Sequence, residues 1–203
     1  MLSKPNYRIE NKLYRQGYKT IAGLDEAGRG AWAGPIVAAA VVLPPKLKIK
    51  GLWDSKLLSS SQREKLHIFI SKNALSIGVG VVSESVIDRW GIIEATRRAF
   101  LRAIEKLSLD CDYLLVDGVK IFDHQRPVDF LIRGDNRVNS IAAASVVAKV
   151  TRDNILRNYH KKFPVYGFEQ HKGYGTKLHS QMLAKYGICD IHRKSFSPMM
   201  YFD

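Results

Sequence analysis

The sequence has few cysteines and no long apolar segment. Its two cysteines, Cys111 and Cys189, lie far apart and form no C-x-x-C pair. This argues against a disulfide framework or a cysteine zinc site and fits a reducing compartment. No apolar run reaches membrane-spanning length, and the N-terminal segment is too charged for a secretory signal. These absences predict a soluble cytoplasmic protein with no membrane partner.

Acidic residues are also scarce relative to basic ones. The chain has 19 Asp and Glu against 32 Lys and Arg, which gives a formal net charge of +13. Such a surplus favours a polyanionic partner, nucleic acid first and an anionic membrane surface second. The length of 203 residues and the hydrophobic content of 46% suit one domain, or one domain with a small appendage.

The most informative pattern lies in residues 21–43. An apolar run ends in Asp25 and Glu26, a glycine-rich turn follows, and a second apolar run begins after it. This order predicts a strand, an acidic pair, a tight turn and another strand. Gly28 and Gly30 allow the chain to leave the pleat, so that both acids can face one site. Taken alone, the pair fits an acidic surface turn as well as a metal-binding pair.

The rest of the chain alternates between strand and helix patterns, with a loop-like stretch at 164–174. Further strands are predicted at 77–82, 113–117 and 128–132. Helices are predicted at about 7–14, 60–71 (capped by one of Ser59, Ser60 and Ser61), 94–107 (after a break near Gly91), 139–163 (capped by Asn139 or Ser140) and 177–186. The alternation predicts an α/β fold.

Three of the predicted strands end near an acid: Asp25 with Glu26, then Asp117, then Asp135. Ligands of α/β folds gather at the carboxyl ends of strands. Four carboxylates without a histidine or cysteine cluster favour Mg²⁺ or Mn²⁺ over zinc. Two such ions can drive phosphodiester cleavage. The alternative is that Asp117 and Asp135 simply begin turns, as aspartates often do.

These motifs, in this order, resemble the signature of the ribonuclease HII family. They are GLDEAGRG at 23–30, AGPIVAAAVVL at 33–43, DSK at 54–56, LVDG at 115–118, GD at 134–135, IAAASVVAKVTRD at 141–153, HKGYGT at 171–176 and HRKSF at 192–196. Ala31 departs from the proline that is usual in the family, which makes the turn less rigid but removes no metal ligand. Arg29 favours type HII over its HIII relative, which usually carries lysine there.

The resemblance implies a ribonuclease-H-like mixed β-sheet flanked by helices, with a helical C-terminal part. We expect a catalytic domain over 1–163 and a C-terminal extension over 164–203, forming one functional unit. The resemblance implies hydrolysis of RNA in RNA–DNA hybrids and incision 5′ of single ribonucleotides in duplex DNA, leaving 3′-hydroxyl and 5′-phosphate ends. Such an enzyme is expected to act as a monomer in ribonucleotide excision.

The resemblance also assigns site residues by position. Asp25, Glu26, Asp117 and Asp135 match four metal-binding carboxylates that hold two Mg²⁺ or Mn²⁺ ions. Gly28, Arg29 and Gly30 match the turn that reads the ribose 2′-hydroxyl, the group that distinguishes RNA from DNA. Tyr174 matches a tyrosine that packs on the deoxyribose just 3′ of the ribonucleotide. A Gly-x-Gly turn suits this task because its backbone can approach a sugar closely.

Several basic residues are candidate phosphate contacts, which position a duplex without reading its sequence. They are Lys56, Lys149, Arg152, Lys172 and Lys177. For His192 and Arg193 we expect a structural role that holds the C-terminal helix. Two alternatives to the nuclease remain at this point: a non-catalytic basic protein that binds nucleic acid, and a DNA-specific nuclease on the same fold. The first leaves the four acids without a purpose, and the second leaves the Gly-Arg-Gly turn without one.

Overall fold

The computed structural model describes residues 4–53 and 55–202, so Asp54 of the DSK motif lies outside the described residues. The sheet has five strands in the order β3-β2-β1-β4-β5. They are β1 (Ile21–Ala27), β2 (Ile36–Val42), β3 (Ser76–Val82), β4 (Tyr113–Asp117) and β5 (Val128–Leu131). The pairs β1/β2 and β2/β3 are antiparallel, whereas β1/β4 and β4/β5 are parallel. The predicted mixed sheet is therefore confirmed.

Helices cover both faces of this sheet. They are α1 (Arg8–Arg15), α2 (Ser60–Asn73), α3 (Glu84–Glu105), α4 (Asn139–Lys162), α5 (Phe168–His171) and α6 (Lys177–Tyr186). Alternate residues of β2 point to opposite faces. Ala38 and Ala40 belong to the core shared with α3, whereas Ala39 and Val41 belong to the core shared with α2 and α4. None of the described helices is long and apolar enough to cross a membrane.

Glycines let two helices approach the sheet unusually closely. A Cβ on Gly78 would lie 1.9 Å from the carbonyl oxygen of Ala103, and one on Gly80 would lie 2.0 Å from that of Ala99. A Cβ on Gly23 of β1 would lie 2.1 Å from the backbone of Ser140 in α4. Gly78 and Gly80 thus allow α3 to approach β3, and Gly23 allows α4 to pack against the strand that carries the first acids.

Helix boundaries agree with the sequence at two points. Ser59 caps α2 in a reciprocal box with Gln62, and Gly91 breaks α3 with a φ of 79°. At two other points the prediction was wrong. Val138, not Asn139 or Ser140, is the N-cap of α4, and no side chain of its own caps it. The loop expected at 164–174 contains a 3₁₀ turn, Pro164–Tyr166, followed by α5.

The segment after α4 packs on the end of that helix and on the turn after β1. Leu156 of α4 and Ala33 of the turn share one apolar cluster with Tyr166, Phe168 and Leu183. The C-terminal residues therefore lie against the end of the sheet where β1 finishes.

Candidate active site and metal centre

Three acids meet at the carboxyl end of the central strands. Asp25 lies near the end of β1, Asp117 ends the neighbouring parallel strand β4, and Asp135 lies in a 3₁₀ turn after β5. One carboxylate oxygen of each lies within 4.8 Å of those of the other two. Asp25 and Asp135 are only 4% and 2% exposed. The fold thus assembles a buried, oxygen-only donor set, which is the chemistry that Mg²⁺ and Mn²⁺ prefer.

The electrostatics of this cluster favour a cation. Burial raises the pKa of Asp25 well above its usual range, and the charges of Glu26, Asp117 and Asp135 raise it further. Burial also raises the pKa of Glu26 to about 7, although Arg29 and Lys56 oppose the shift. Crowded carboxylates repel one another unless a positive ion lies between them. The residues present therefore fit a divalent metal.

Backbone amides hold two of these carboxylates in place. The Glu26 amide donates to Asp25 Oδ1 at 2.7 Å, and the Gly134 amide donates to Asp117 Oδ1 at 2.6 Å. Outer contacts of this kind orient carboxylates that ligate metals. The chain thus fixes the donor set before any ion binds.

The glycine-rich turn borders the acids. Gly28 has a φ of 102°, and a Cβ there would lie 2.1 Å from Arg152 Nε, so no other residue fits. By contrast, the Cβ position of Gly30 is open, with no atom within 4 Å. One hollow of about 400 Å³ brings Asp25, Glu26 and Asp117 together with this turn and with Tyr174. Its walls therefore combine metal-binding chemistry with exposed backbone.

Tyr174 is held more firmly than a loop tyrosine would be. It forms an antiparallel bridge with Ala31, the residue that replaces the family's usual proline. Lys149 Nζ and Arg152 Cζ each lie 5.2 Å from the centre of its ring. The sequence suggested a flexible loop here, whereas the structure fixes this segment against the turn after β1.

The predicted phosphate contacts occupy different environments. Lys56 and Lys149 line the hollow. Lys56 Nζ lies 3.9 Å from Asp135 Oδ2, and Lys149 Nζ donates to Asp153 Oδ1 at 2.7 Å. Lys172 is half-buried, and Lys177 is exposed at the start of α6.

Arg152 does not fit the role of a phosphate contact. Its side chain is 0% exposed. Its three guanidinium nitrogens donate to the carbonyls of Pro35 at 3.0 Å, Lys172 at 2.9 Å and Ala33 at 2.9 Å. This correction has a simple cause: the turn after β1 and the segment before Tyr174 present carbonyls to α4, and Arg152 satisfies them.

Arg193 plays a similar part, and the sequence indicated only a general structural role. It is 0% exposed and donates through Nε and Nη2 to the carbonyl of Gly34, at 3.0 and 2.8 Å. Its Nη1 donates to the carbonyl of Arg29 at 2.9 Å. Arg193 therefore holds the Gly-Arg-Gly turn rather than the C-terminal helix. A charged residue inside the HRKSF motif was the only signal for this role.

Size alone would not have identified this site. A larger hollow of about 730 Å³ lies between α1 and the residues after β2, lined by Tyr14, Tyr18 and Lys46 among others. No acid lines it, so it offers no donor set for the chemistry above.

Comparisons with known proteins place the chain in a family. A family model described as Ribonuclease HII matches residues 22–199. The ribonuclease HII of Acetivibrio thermocellus is 50% identical over 188 residues, which cover 93% of this chain and 73% of that protein. The ribonuclease HII of Chloroflexus aurantiacus is 46% identical over 201 residues, covering 97% of this chain and 95% of that protein.

A solved structure extends the similarity to the fold. The ribonuclease H2 of Pyrococcus horikoshii matches with a TM-score of 0.79 at 26% identity, covering 91% of this chain and 97% of that one. The ribonuclease-H-like fold expected from the sequence is thereby confirmed. The chain belongs to the ribonuclease HII family, whose members are endonucleases that cleave RNA in RNA–DNA hybrids.

Proposed function

We propose that this protein incises duplex DNA on the 5′ side of a single embedded ribonucleotide, in addition to cutting RNA in longer hybrids. The products carry 3′-hydroxyl and 5′-phosphate ends. The observation that supports this most directly is the hollow that Asp25, Glu26 and Asp117 share with the Gly-Arg-Gly turn and Tyr174. A nuclease that acted on DNA alone would have no 2′-hydroxyl for that turn to recognise.

Asp25, Glu26, Asp117 and Asp135 are the proposed ligands of two divalent ions, Mg²⁺ or Mn²⁺. Such a pair, when bound, activates the attacking water and stabilises the leaving oxygen. The chain's own contribution is to orient the carboxylates through the amides of Glu26 and Gly134. Burial of Asp25 and Asp135 lowers the local dielectric and so strengthens the attraction of the cluster for the ions.

The turn at residues 28–30 is the proposed reader of the sugar. The open space at Gly30 leaves its backbone accessible to a ribose. A deoxyribose would leave polar backbone groups without a partner, at a cost of about 1–3 kcal/mol for each group. Tyr174 then packs on the next sugar, which must lack the 2′-oxygen. Together these contacts select the junction where RNA is followed by DNA.

Lys56, Lys149, Lys172 and Lys177 remain the proposed phosphate contacts, without Arg152. Contacts of this kind hold the duplex independently of its sequence and weaken steeply with salt. Within the proposed division of the chain, residues 1–163 supply the acids and the turn. Residues 164–203 supply Tyr174 and the arginine that holds the turn in place.

An incision assay tests the proposal directly. The substrates are a labelled DNA duplex with one ribonucleotide and the same duplex without it, each with Mg²⁺, Mn²⁺ or EDTA. We expect a metal-dependent nick 5′ of the ribonucleotide, reduced at least about 10³-fold in Asp25→Asn. No nick by folded wild-type protein with either metal would overturn the proposal. Cutting of the all-DNA duplex would overturn the role given to the turn.

A further inference from the structure

Three buried histidines stand behind Tyr174, and the function proposed above uses none of them. His171, His179 and His192 are 7%, 0% and 1% exposed. The rings of His171 and His179 stack at 4.2 Å with an interplanar angle of 14°. A triad of this kind can bind a metal, but here every ring nitrogen already has a partner within hydrogen-bonding distance. The three histidines are therefore hydrogen-bonded within the protein, which argues for a role other than metal binding.

Two of these histidines form a hydrogen-bonded chain with only one consistent direction. His192 Nδ1 lies 2.8 Å from the Cys189 amide nitrogen and 3.2 Å from the Cys189 carbonyl oxygen. That carbonyl already accepts from the His192 amide at 2.9 Å, so the shorter contact decides and His192 Nδ1 accepts from the Cys189 amide. The proton of His192 must then be on Nε2, which lies 3.0 Å from Nε2 of His179. His179 Nε2 accepts it, and its own proton is on Nδ1. That Nδ1 lies 3.0 Å from the carbonyl oxygen of Tyr174 and donates to it.

The chain requires both rings to be neutral, and their burial ensures this. Burial lowers the pKa of His179 to about 3 and that of His192 to about 4. At neutral pH neither ring carries a second proton, so the direction of the bonds does not change.

The end of the chain matters because it adds a side-chain hydrogen bond to the backbone contacts that hold Tyr174 and the residues before it. The carbonyl of Lys172 accepts from Arg152, and that of Gly173 accepts from the Trp32 amide at 2.8 Å. The carbonyl of Tyr174 accepts from the Thr176 amide at 2.8 Å and from His179. The His179 side chain thus joins α6 directly to the backbone of Tyr174.

We propose that His179, whose tautomer is fixed by His192, is a positioning residue that sets the placement of Tyr174 and hence the preference for an RNA-to-DNA junction. The proposal rests on the function proposed above. It adds that the preference depends on a hydrogen bond from α6, a helix that contributes no side chain to the hollow.

Two conservative substitutions separate positioning from simple packing. The side-chain nitrogen of Asn occupies the place of His Nδ1, so His179→Asn keeps a donor for the Tyr174 carbonyl and loses the bond to His192. The amide of Gln reaches the place of His Nε2, so His179→Gln keeps the bond to His192 and loses that donor. Each variant loses one bond in the same buried place. His124→Gln, at a half-buried position in the loop after β4, serves as the matched control.

The measurement is kcat/KM on a duplex with one ribonucleotide, divided by kcat/KM on a continuous RNA–DNA hybrid. We expect this ratio to fall about fivefold in His179→Gln, the factor that corresponds to one hydrogen bond of typical net strength. In His179→Asn and His124→Gln it should stay within about twofold of the wild type. Equal ratios in the Asn and Gln variants would overturn the proposal.

A spectroscopic measurement tests the chain without any activity. Long-range ¹H–¹⁵N spectra of the histidine rings in the wild-type protein should show the Nδ1–H tautomer for His179 and the Nε2–H tautomer for His192. The opposite tautomer at His179 would overturn the proposal, even if the variants failed to fold. Failure of the wild type to nick a single ribonucleotide would refute the proposed function instead, and the tautomers would still report on the chain.

Discussion

The molecule buries charge in two neighbouring places and treats it in opposite ways. Arg152 and Arg193 are fully buried, and every guanidinium nitrogen donates to a backbone carbonyl. The acids Asp25, Asp117 and Asp135 instead crowd like charges within 4.8 Å of one another. The arginine charges are stabilised by backbone carbonyls and hold the fold together. The aspartate charges repel one another, which is the arrangement expected of a cation-binding site. Active sites often sacrifice stability in this manner.

Removal of Arg193 should have the largest effect on stability. Arg193→Met keeps the approximate volume but leaves the carbonyls of Gly34 and Arg29 without this donor. We expect the free energy of unfolding to fall by about 3–5 kcal/mol, measured by urea denaturation. Arg97→Met, on the solvent side of α3, is the control and should leave the urea midpoint nearly unchanged. A loss of less than about 1 kcal/mol in the free energy of unfolding would show that the bonds from Arg193 to these carbonyls do not stabilise the fold.

Neutralisation of an acid in the cluster should instead increase the free energy of unfolding. Burial, and then repulsion from the neighbouring acids, raises the pKa of the Asp25 carboxyl. In EDTA, Asp25→Asn removes both costs, so the protein should become more stable by about 1–2 kcal/mol. Addition of Mg²⁺ or Mn²⁺ should then raise the Tm of the wild type much more than that of the variant. Equal shifts in Tm with metal would show that Asp25 is not a ligand.

Glu10 offers an intermediate case, because it is a buried acid far from any like charge. Its Oε1 accepts from the amide and the hydroxyl of Ser140, both at 3.1 Å, and burial raises its pKa. A raised pKa in the folded state means that the protonated form stabilises the fold and that this stability is lost as the pH rises through that pKa. Glu10→Gln should therefore raise the Tm at pH 8 relative to the wild type. At pH 4 the two proteins should differ little, and an equal gain at both values would contradict this account.

The smallest effect should come from an exposed acid with strong partners. Glu94 accepts from Arg97 and Arg98 on α3, and these bonds lower its pKa to about 2. Because these pairs lie at the protein surface, solvent and salt screen them. Glu94→Ala should therefore leave the Tm at pH 7 unchanged within error. A clear loss of stability would show that surface pairs matter more here than buried geometry.

The sequence predicted the parts of the molecule that depend on local patterns. Apolar runs that end in acids marked the strand ends where Asp25 and Asp117 lie. Glycine marked the break at Gly91, and a run of three serines marked the cap of α2, of which the structure selects Ser59. Each of these features is encoded within a few residues, so no knowledge of distant contacts was required.

Features that depend on distant contacts were missed or misassigned. Arg152 resembled a phosphate contact because nothing near it in the sequence reveals the carbonyl of Pro35, 117 residues away. The cap of α4 was assigned to Asn139 or Ser140, whereas Glu10 of α1 accepts from the Ser140 amide across 130 residues. The histidine chain behind Tyr174 likewise joins residues 13 positions apart. Such partners become visible only once the chain has folded.

The separation between Arg193 and the turn it holds has a consequence for synthesis of the protein. The carbonyl of Arg29 receives its donor from a residue 164 positions later in the chain. During translation, the acids of β1 and the adjoining turn are therefore synthesised long before Arg193, which holds that turn. A nascent chain that stops short of this arginine carries the acids of β1 beside a turn that lacks its donor. The final geometry of that turn therefore depends on one of the last residues to be synthesised.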